Sequence, residues 1–402
     1  MSESTKHKTL IFFTDKYPLG RTQEAYIDNE LNYLLARFNK IIFIPVDTSS
    51  TSRINIKYTE VLDIHKQVIV SKWNLVCHFR VIVSFLKLEA INKNSGGLIF
   101  NLKKIFNAIN YSDAIKSYMI KNNLDESNTV LYSYWFYHWS LVCSVLKHDN
   151  HLLKVFSRAH LNDLYGEFNK DQFTGVKLHY LNAVFPISNH GSNYMYHQFP
   201  FYKSKIKTHY LGVNDLGINS IIFDKDKFIV LSCSAIRSEK RIDKIVETLK
   251  HIAFPITWIH FGDGPDLQLV KNACKELPSN VNVELKGFTQ NHLVKEYYLK
   301  NQINLFLNFS SAEGLPVSIL EVISFGIPVM ATKIYGTPEA VPEHVGELIE
   351  KDFSPIDVAI KITNFKYSFK NTDEFRLSVR KFWEEKFNAK INYTNFTNDI
   401  IS

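Results

Sequence analysis

The sequence predicts an α/β protein built of two Rossmann-like domains that face each other across a deep cleft. Three observations carry this expectation. The length, 402 residues, is too great for one ordinary core and suits two. A strand–helix–strand pattern occupies the first 45 residues, and a second series of such segments begins near residue 228.

In chain order, residues 8–14 form a short apolar run with β-branched and aromatic side chains, which reads as a buried strand. Tyr17-Pro18-Leu19-Gly20 is a turn signal. From 24 to 38, Tyr26, Ile27, Leu31, Leu34, Leu35 and Phe38 recur at helical spacing, and 40–45 is the next strand. Strand, helix, strand within 40 residues is a βαβ unit and requires a parallel sheet. Residues 212–227 are turn-rich and read as a linker. Beyond them come strands at 228–232 and 256–261 with a helix at 242–251 between. Further strands are expected at 281–286, 303–307 and 328–332. The expected division is a first domain over 1–213, a second over 214–380 and a terminal helix over 381–402.

Composition removes several classes of protein. Hydrophobic residues at 45% and charged residues at 22% are ordinary for a globular chain and exclude a disordered one. Cys77, Cys143, Cys233 and Cys274 lie far apart without a CxxC pair, so neither a disulfide scaffold nor a zinc site is expected. The polar, charged opening is unlike a signal peptide. The most apolar stretch, 73–91, is interrupted by His78, Arg80, Lys87 and Glu89, short of the ~18 apolar residues that span a bilayer. A cytoplasmic protein, soluble or peripheral on the inner membrane face, is the expectation.

The net charge of +7 can be assigned wholly to residues 51–121, which hold 11 basic and 4 acidic side chains. Two readings stay open. The charges solvate a domain whose 73–91 segment is a buried helix, or they meet an anionic partner such as a membrane surface. No RNP, helix-turn-helix or finger pattern supports nucleic acid.

The chemistry concentrates in residues 310–328. Glu313 and Glu321 stand eight apart, the second on a helix expected to start near Pro316. Gly314 permits close backbone approach, and the free amides of that helix start suit a diphosphate. Carboxylates bracketing such a site accept hydrogen bonds from ribose and sugar hydroxyls.

This run resembles the E-x7-E motif of the family 4 (group 1) glycosyltransferases, which have the GT-B fold. Gly326-Ile-Pro-Val-Met-Ala-Thr332 and Gly336-Thr-Pro-Glu339 are similar to that family as well. Leu231-Ser-Cys-Ser-Ala-Ile-Arg-Ser-Glu-Lys-Arg241 resembles the family's strand-loop-helix whose lysine, here Lys240, meets the donor diphosphate. Many members carry an arginine where this chain has Ala235, so Arg237 or Arg241 would supply that charge. The resemblance extends to loops that border the nucleotide, with Gly262 and Gly264 in one and Phe288 and Thr289 in another. Leu315-Pro316 replaces the family's frequent Phe-Gly, which removes one N–H donor. Gly314, Leu315, Val317 and Ser318 complete the implied donor site.

In the first half, Tyr132-Ser-Tyr-Trp-Phe136 and Ser157-Arg-Ala-His-Leu-Asn-Asp-Leu-Tyr165 resemble members linked to bacterial surface polysaccharide (lipopolysaccharide or capsule) synthesis. His160 matches a histidine near the transferred sugar, although a lone histidine also serves structure alone. Arg158 and Asp163 can form an internal ion pair. Gly20 matches the acceptor-side loop or is a plain turn glycine. Residues 376–396 resemble the helix that crosses back to the first domain.

The resemblance implies retaining transfer of a sugar from a nucleotide-sugar donor to a hydroxyl of a glycan or lipid-linked acceptor. No metal or other cofactor is implied, since nothing resembles a DxD pair beyond Asp224-Lys-Asp226 in the linker. Lys240 would neutralise the leaving diphosphate, Glu321 hold the ribose and Glu313 the donor sugar, with His160, Glu313 and Lys240 as the catalytic candidates. A nucleotide-sugar epimerase of the same fold and a non-catalytic sugar- or nucleotide-binding module are the alternatives.

Overall fold

The computed structural model describes residues 8–20, 24–50, 57, 59–71, 73–91, 97–167 and 173–402. Residues 51–56, 58, 72 and 92–96 of the basic stretch lie outside the described residues, as does the charged opening before residue 8. The chain divides into two units, Met1–His209 with Tyr393–Ser402, and Tyr210–Asn392.

The first unit holds strands β1 (Thr9–Thr14), β2 (Lys40–Pro45), β3 (Thr59–Val61), β4 (Thr129–Ser133), β5 (Lys154–Ala159) and β6 (Ala183–Pro186). They lie in the order β3-β2-β1-β4-β5-β6, with every pairing parallel. Five of the six residues of β1 are buried, as expected where helices cover both faces of a parallel sheet. Phe12 is in register with Phe43 and Tyr132 and stacks on the latter at 4.6 Å between ring centres.

In the second unit are β7 (Ile229–Cys233), β8 (Ile256–Phe261), β9 (Val281–Gly287), β10 (Leu305–Asn308), β11 (Val329–Thr332) and β12 (Gly346–Ile349). Their order is β12-β11-β10-β7-β8-β9, again all parallel. The helix Ile242–Leu249 buries Ile242, Ile245, Val246 and Leu249, an i, i+3, i+4, i+7 stripe against the core around Trp258.

Both sheets therefore share one doubly wound order, in which the unit's first strand lies between its second and fourth. Crossovers leave in opposite directions from that point, so the loops after β1 and β4, and after β7 and β10, part to open a crevice at the strand C-termini. Ligands of open α/β sheets bind at such a switch point.

Three local expectations are corrected. Residues 73–91 form two helices, Trp73–Cys77 and Phe79–Ile91. Phe85 is buried as a core helix requires, but Trp73, Val76 and Phe79 are 75%, 67% and 65% exposed. His78 sits at the break, 3.0 Å from Asp113. The segment 212–227 is laced to the second unit rather than free. Asn219 donates to the carbonyls of Tyr298 and Asn301, and Asp215 pairs with Arg380 at 2.6 Å. The C-terminus is two helices, Asp373–Lys386 and Ala389–Ile401, and the chain from Tyr393 onward belongs to the first unit, where Phe396 and Ile400 join the core.

Candidate functional site

In the second unit the switch point lies between β7 and β10, and the loops that follow these strands carry Lys240 and Glu313. Lys240 ends the 3-10 turn Ser238–Lys240, and its Nζ lies 2.5 Å from Oε1 of Glu313, 73 residues further along. The Ser310 hydroxyl donates to the same carboxylate oxygen at 2.9 Å. Arg237 is half-exposed and pairs with Glu239 at 2.6 Å. Arg241 is otherwise committed, since its Nε and Nη1 donate to the carbonyls of Phe309 and Lys351. Of the two arginines considered for the missing charge, Arg237 is the one whose guanidinium is not bound into the backbone.

The helix Val317–Ser324 begins directly after Pro316, which fits the first position before a helix whose early amides have no carbonyl partner within it. Gly314 is half-buried beside Leu315, which is buried, whereas Val317 and Ser318 are half-buried at the helix start. Glu321 lies one turn in and is 6% exposed. Its carboxylate accepts from Asn291 Nδ2 at 2.9 Å and lies 3.2 Å from Lys295 Nζ, both on the helix Asn291–Lys300.

Gly262 and Gly264 have a packing reason. Gly262 has φ +147°, and a β-carbon there would run into the Ser234 carbonyl oxygen; one at Gly264 would meet that of Ile236. The loop after β8 is thereby pressed against the loop after β7, with Ile236 N–H donating to Asp263 O at 2.9 Å. Phe288 is exposed and Thr289 half-buried just after β9. The donor-side candidates thus fall on the loops after β7, β8, β9 and β10 and on the helix Val317–Ser324 that follows the last of them. A cavity of about 780 Å³ in the same unit, lined by Phe228, Asn304 and Arg376 among others, lies instead at the N-terminal ends of β7 and β10.

In the first unit the switch point lies between β1 and β4. Gly20, φ +76°, belongs to the loop after β1. His160 follows β5 and packs against the rings of Tyr134 and Trp135 at 4.8 and 4.5 Å. Both of its ring nitrogens are shielded from solvent, and His160 and Asp163 form a capping box at the short helix Leu161–Leu164. Burial, reinforced by the Arg158 guanidinium, pushes its pKa down to about 3, so the imidazole is neutral at physiological pH.

Arg158 and Asp163 do not pair. Arg158 meets Glu30 at 3.1 Å, both side chains fully buried, and donates to His209 O. Asp163 accepts instead from the amides of Phe136 and His160. Its pKa is raised to about 7, burial outweighing those amides. Asn291 and Lys295 were not legible as site residues, because each acts on Glu321 from a helix that follows another strand.

Among solved structures the whole chain is similar to the lipopolysaccharide outer core galactosyltransferase WaaB. The TM-score is 0.68 at 14% identity, with 98% of this chain and 99% of that one covered. It is similar also to Anabaena HepE in complex with UDP and glucose, with a TM-score of 0.64, 14% identity and coverage of 97% and 99%. The protein has the GT-B fold. Residues 217–376, most of the second unit, match the family model described as glycosyl transferases group 1. A curated relative, the alpha-monoglucosyldiacylglycerol synthase of Acholeplasma laidlawii, is 28% identical over 137 residues, 33% of this chain and 32% of that protein. The chain spans about a third of the length of the curated relatives it matches.

Proposed function

We propose that this protein is a retaining, metal-independent glycosyltransferase. It moves a sugar from a nucleotide-sugar donor to a hydroxyl of a glycan or lipid-linked acceptor, in bacterial surface polysaccharide synthesis. The observation that carries the reading is the Lys240–Glu313 pair at the β7/β10 switch point, beside the first turn of the helix Val317–Ser324. The lysine supplies one positive charge and the helix start supplies amides and a partial positive charge, which together stabilise a departing diphosphate. Arg237 adds a second cation. Glu321, already held by Asn291 and Lys295, has lone pairs left for the ribose hydroxyls, and Glu313 accepts from the donor sugar. His160, neutral, hydrogen-bonds a sugar hydroxyl. UDP and glucose bound to HepE support a nucleotide-sugar as donor.

The test is a panel of nucleotide-sugars incubated with glycan and lipid-linked acceptors, followed by mass spectrometry with and without EDTA. One donor should be consumed only when acceptor is present, at a rate EDTA leaves unchanged. Isomerised donor without acceptor would establish an epimerase in its place, and binding without consumption a non-catalytic module.

The reading includes a peripheral position on the cytoplasmic membrane face. Among the described residues no helix is long and apolar enough to cross a membrane. Between residues 64 and 112 the one acidic side chain, Glu89, is buried and accepts from Phe173 N–H. The same span exposes Arg80, Lys87 and Lys103 together with Trp73, Phe79 and Ile99. Exposed aromatic and aliphatic groups interleaved with cations suit an anionic lipid surface, each basic residue contributing about 1 kcal/mol. Vesicles containing anionic lipid should pellet the protein at low salt, and less as salt screens beyond a Debye length of ~10 Å at 0.1 M. Pelleting that survives Lys103→Glu with Lys104→Glu, or none at low salt, would remove the membrane from this reading.

A further inference from the structure

The segment Tyr134–Tyr137, directly after β4, is gripped by three carboxylates of the first unit, two from the loop after β1 and one from the turn after β5. Trp135 Nε1 donates to Glu24 Oε1 at 2.6 Å, Phe136 N–H to Asp163 Oδ2 at 2.6 Å, and the Tyr137 hydroxyl to Asp15. Lys177 Nζ adds a bond to Phe136 O at 2.7 Å. Glu24 does most. Its buried carboxylate also accepts the amides of Asp15, Lys16 and Tyr17, at 3.2, 2.7 and 2.7 Å. One side chain therefore takes four donors and ties the loop after β1 to the loop after β4, the two sides of the unit's switch point. Glu24 itself adopts φ +57°, a left-handed conformation that a non-glycine residue keeps only where its surroundings hold it.

We propose that Glu24 is a positioning residue: through Trp135 it holds the aromatic wall of Tyr134 and Trp135 against His160 and keeps that imidazole in one orientation, shielded from water. The imidazole packs on both rings besides capping the short helix that follows it, so a displacement of the rings displaces the imidazole. The inference rests on the transferase reading only in calling His160 a group that meets the sugar.

The experiment is histidine ring NMR across a pH titration, on wild type, Glu24→Gln and Trp135→Phe, with thermal melting as the control. A glutamine carboxamide turns N–H groups toward a cluster of N–H donors, and phenylalanine removes the indole donor with part of the ring that packs on His160 while leaving the Asp15–Tyr17 amides bound. Arg158 and Asp163, the charged groups nearest the imidazole along the chain, remain in both variants. In wild type the His160 ring should stay neutral well below its ordinary value of 6.5. In both variants its titration should move up toward that value as water enters. Turnover with the donor from the panel should fall on the order of 10- to 100-fold, as for a displaced reacting group. An unchanged His160 signal in the variants that fold overturns the proposal, even where transfer is demonstrated. If Glu24→Gln fails to fold, Trp135→Phe decides alone. A donor panel that finds no transfer leaves the ring measurement valid, so the two failures are distinguishable.

Discussion

Lys240→Ala is expected to lower turnover by about 10²-fold or more, as loss of one charge-stabilising donor does when negative charge develops on a leaving group. It should also weaken a nucleoside diphosphate more than the nucleoside. The physical ground is the pairing with Glu313 at 2.5 Å, the two side chains only 17% and 14% exposed. The ammonium is held by a carboxylate of its own chain, so a diphosphate must compete for it. Glu313→Gln therefore removes a competitor and should leave diphosphate affinity equal or tighter while turnover falls, because the sugar loses its acceptor group. Glu321→Ala should instead weaken nucleotide binding by about 1.5–3 kcal/mol, the usual range for a hydrogen bond to a charged group. Calorimetry and steady-state kinetics on the three variants check the scheme. Equal affinity losses at Glu313 and Glu321, or wild-type turnover in Lys240→Ala beside a dead Arg237→Ala, would relocate the diphosphate site.

Glu30→Ala is expected to have the largest effect on stability. It strands the Arg158 guanidinium in a site where both partners have no exposed surface. Burial alone would depress the arginine's pKa, but the Glu30 carboxylate, with the rings around it, holds it above its ordinary value. Burial outweighs Arg158 for Glu30 itself, whose pKa is raised. Such a pair adds little over apolar residues of the same volume, yet breaking it leaves an unpaired buried charge at a cost of about 3–5 kcal/mol. Melting should drop by roughly 10 °C in a unit of this size. The double variant Glu30→Met with Arg158→Met should recover most of the loss. A single variant that melts within about 2 °C of wild type would show that Arg158 is satisfied by His209 O and by Phe396, whose ring lies 4.1 Å from the guanidinium carbon.

What the sequence determined by itself is local. Apolar runs such as 8–14, 40–45 and 256–261 are strands because alternating faces and β-branched residues leave no other economical burial, and β1, β2 and β8 fall on them. The start of the helix after Pro316 and the eight-residue spacing of Glu313 and Glu321 were legible because both are set by a few neighbouring residues. Only the tertiary structure decided the pairings. Arg158 was read beside Asp163, five residues away, but the strand order brings it to Glu30, 128 residues away. Lys240 reaches Glu313, and Glu24 reaches Trp135, for the same reason: adjacent strands at a switch point are remote in sequence. The apolar pattern of 73–91 was clear, but periodicity carries no sign for which face meets solvent; packing against Tyr180 and His148 buried Phe85, while Trp73 and Phe79 stayed outside. Spacing along the chain fixes which groups share a local element, whereas the partner of a buried charge is chosen by the order in which strands assemble.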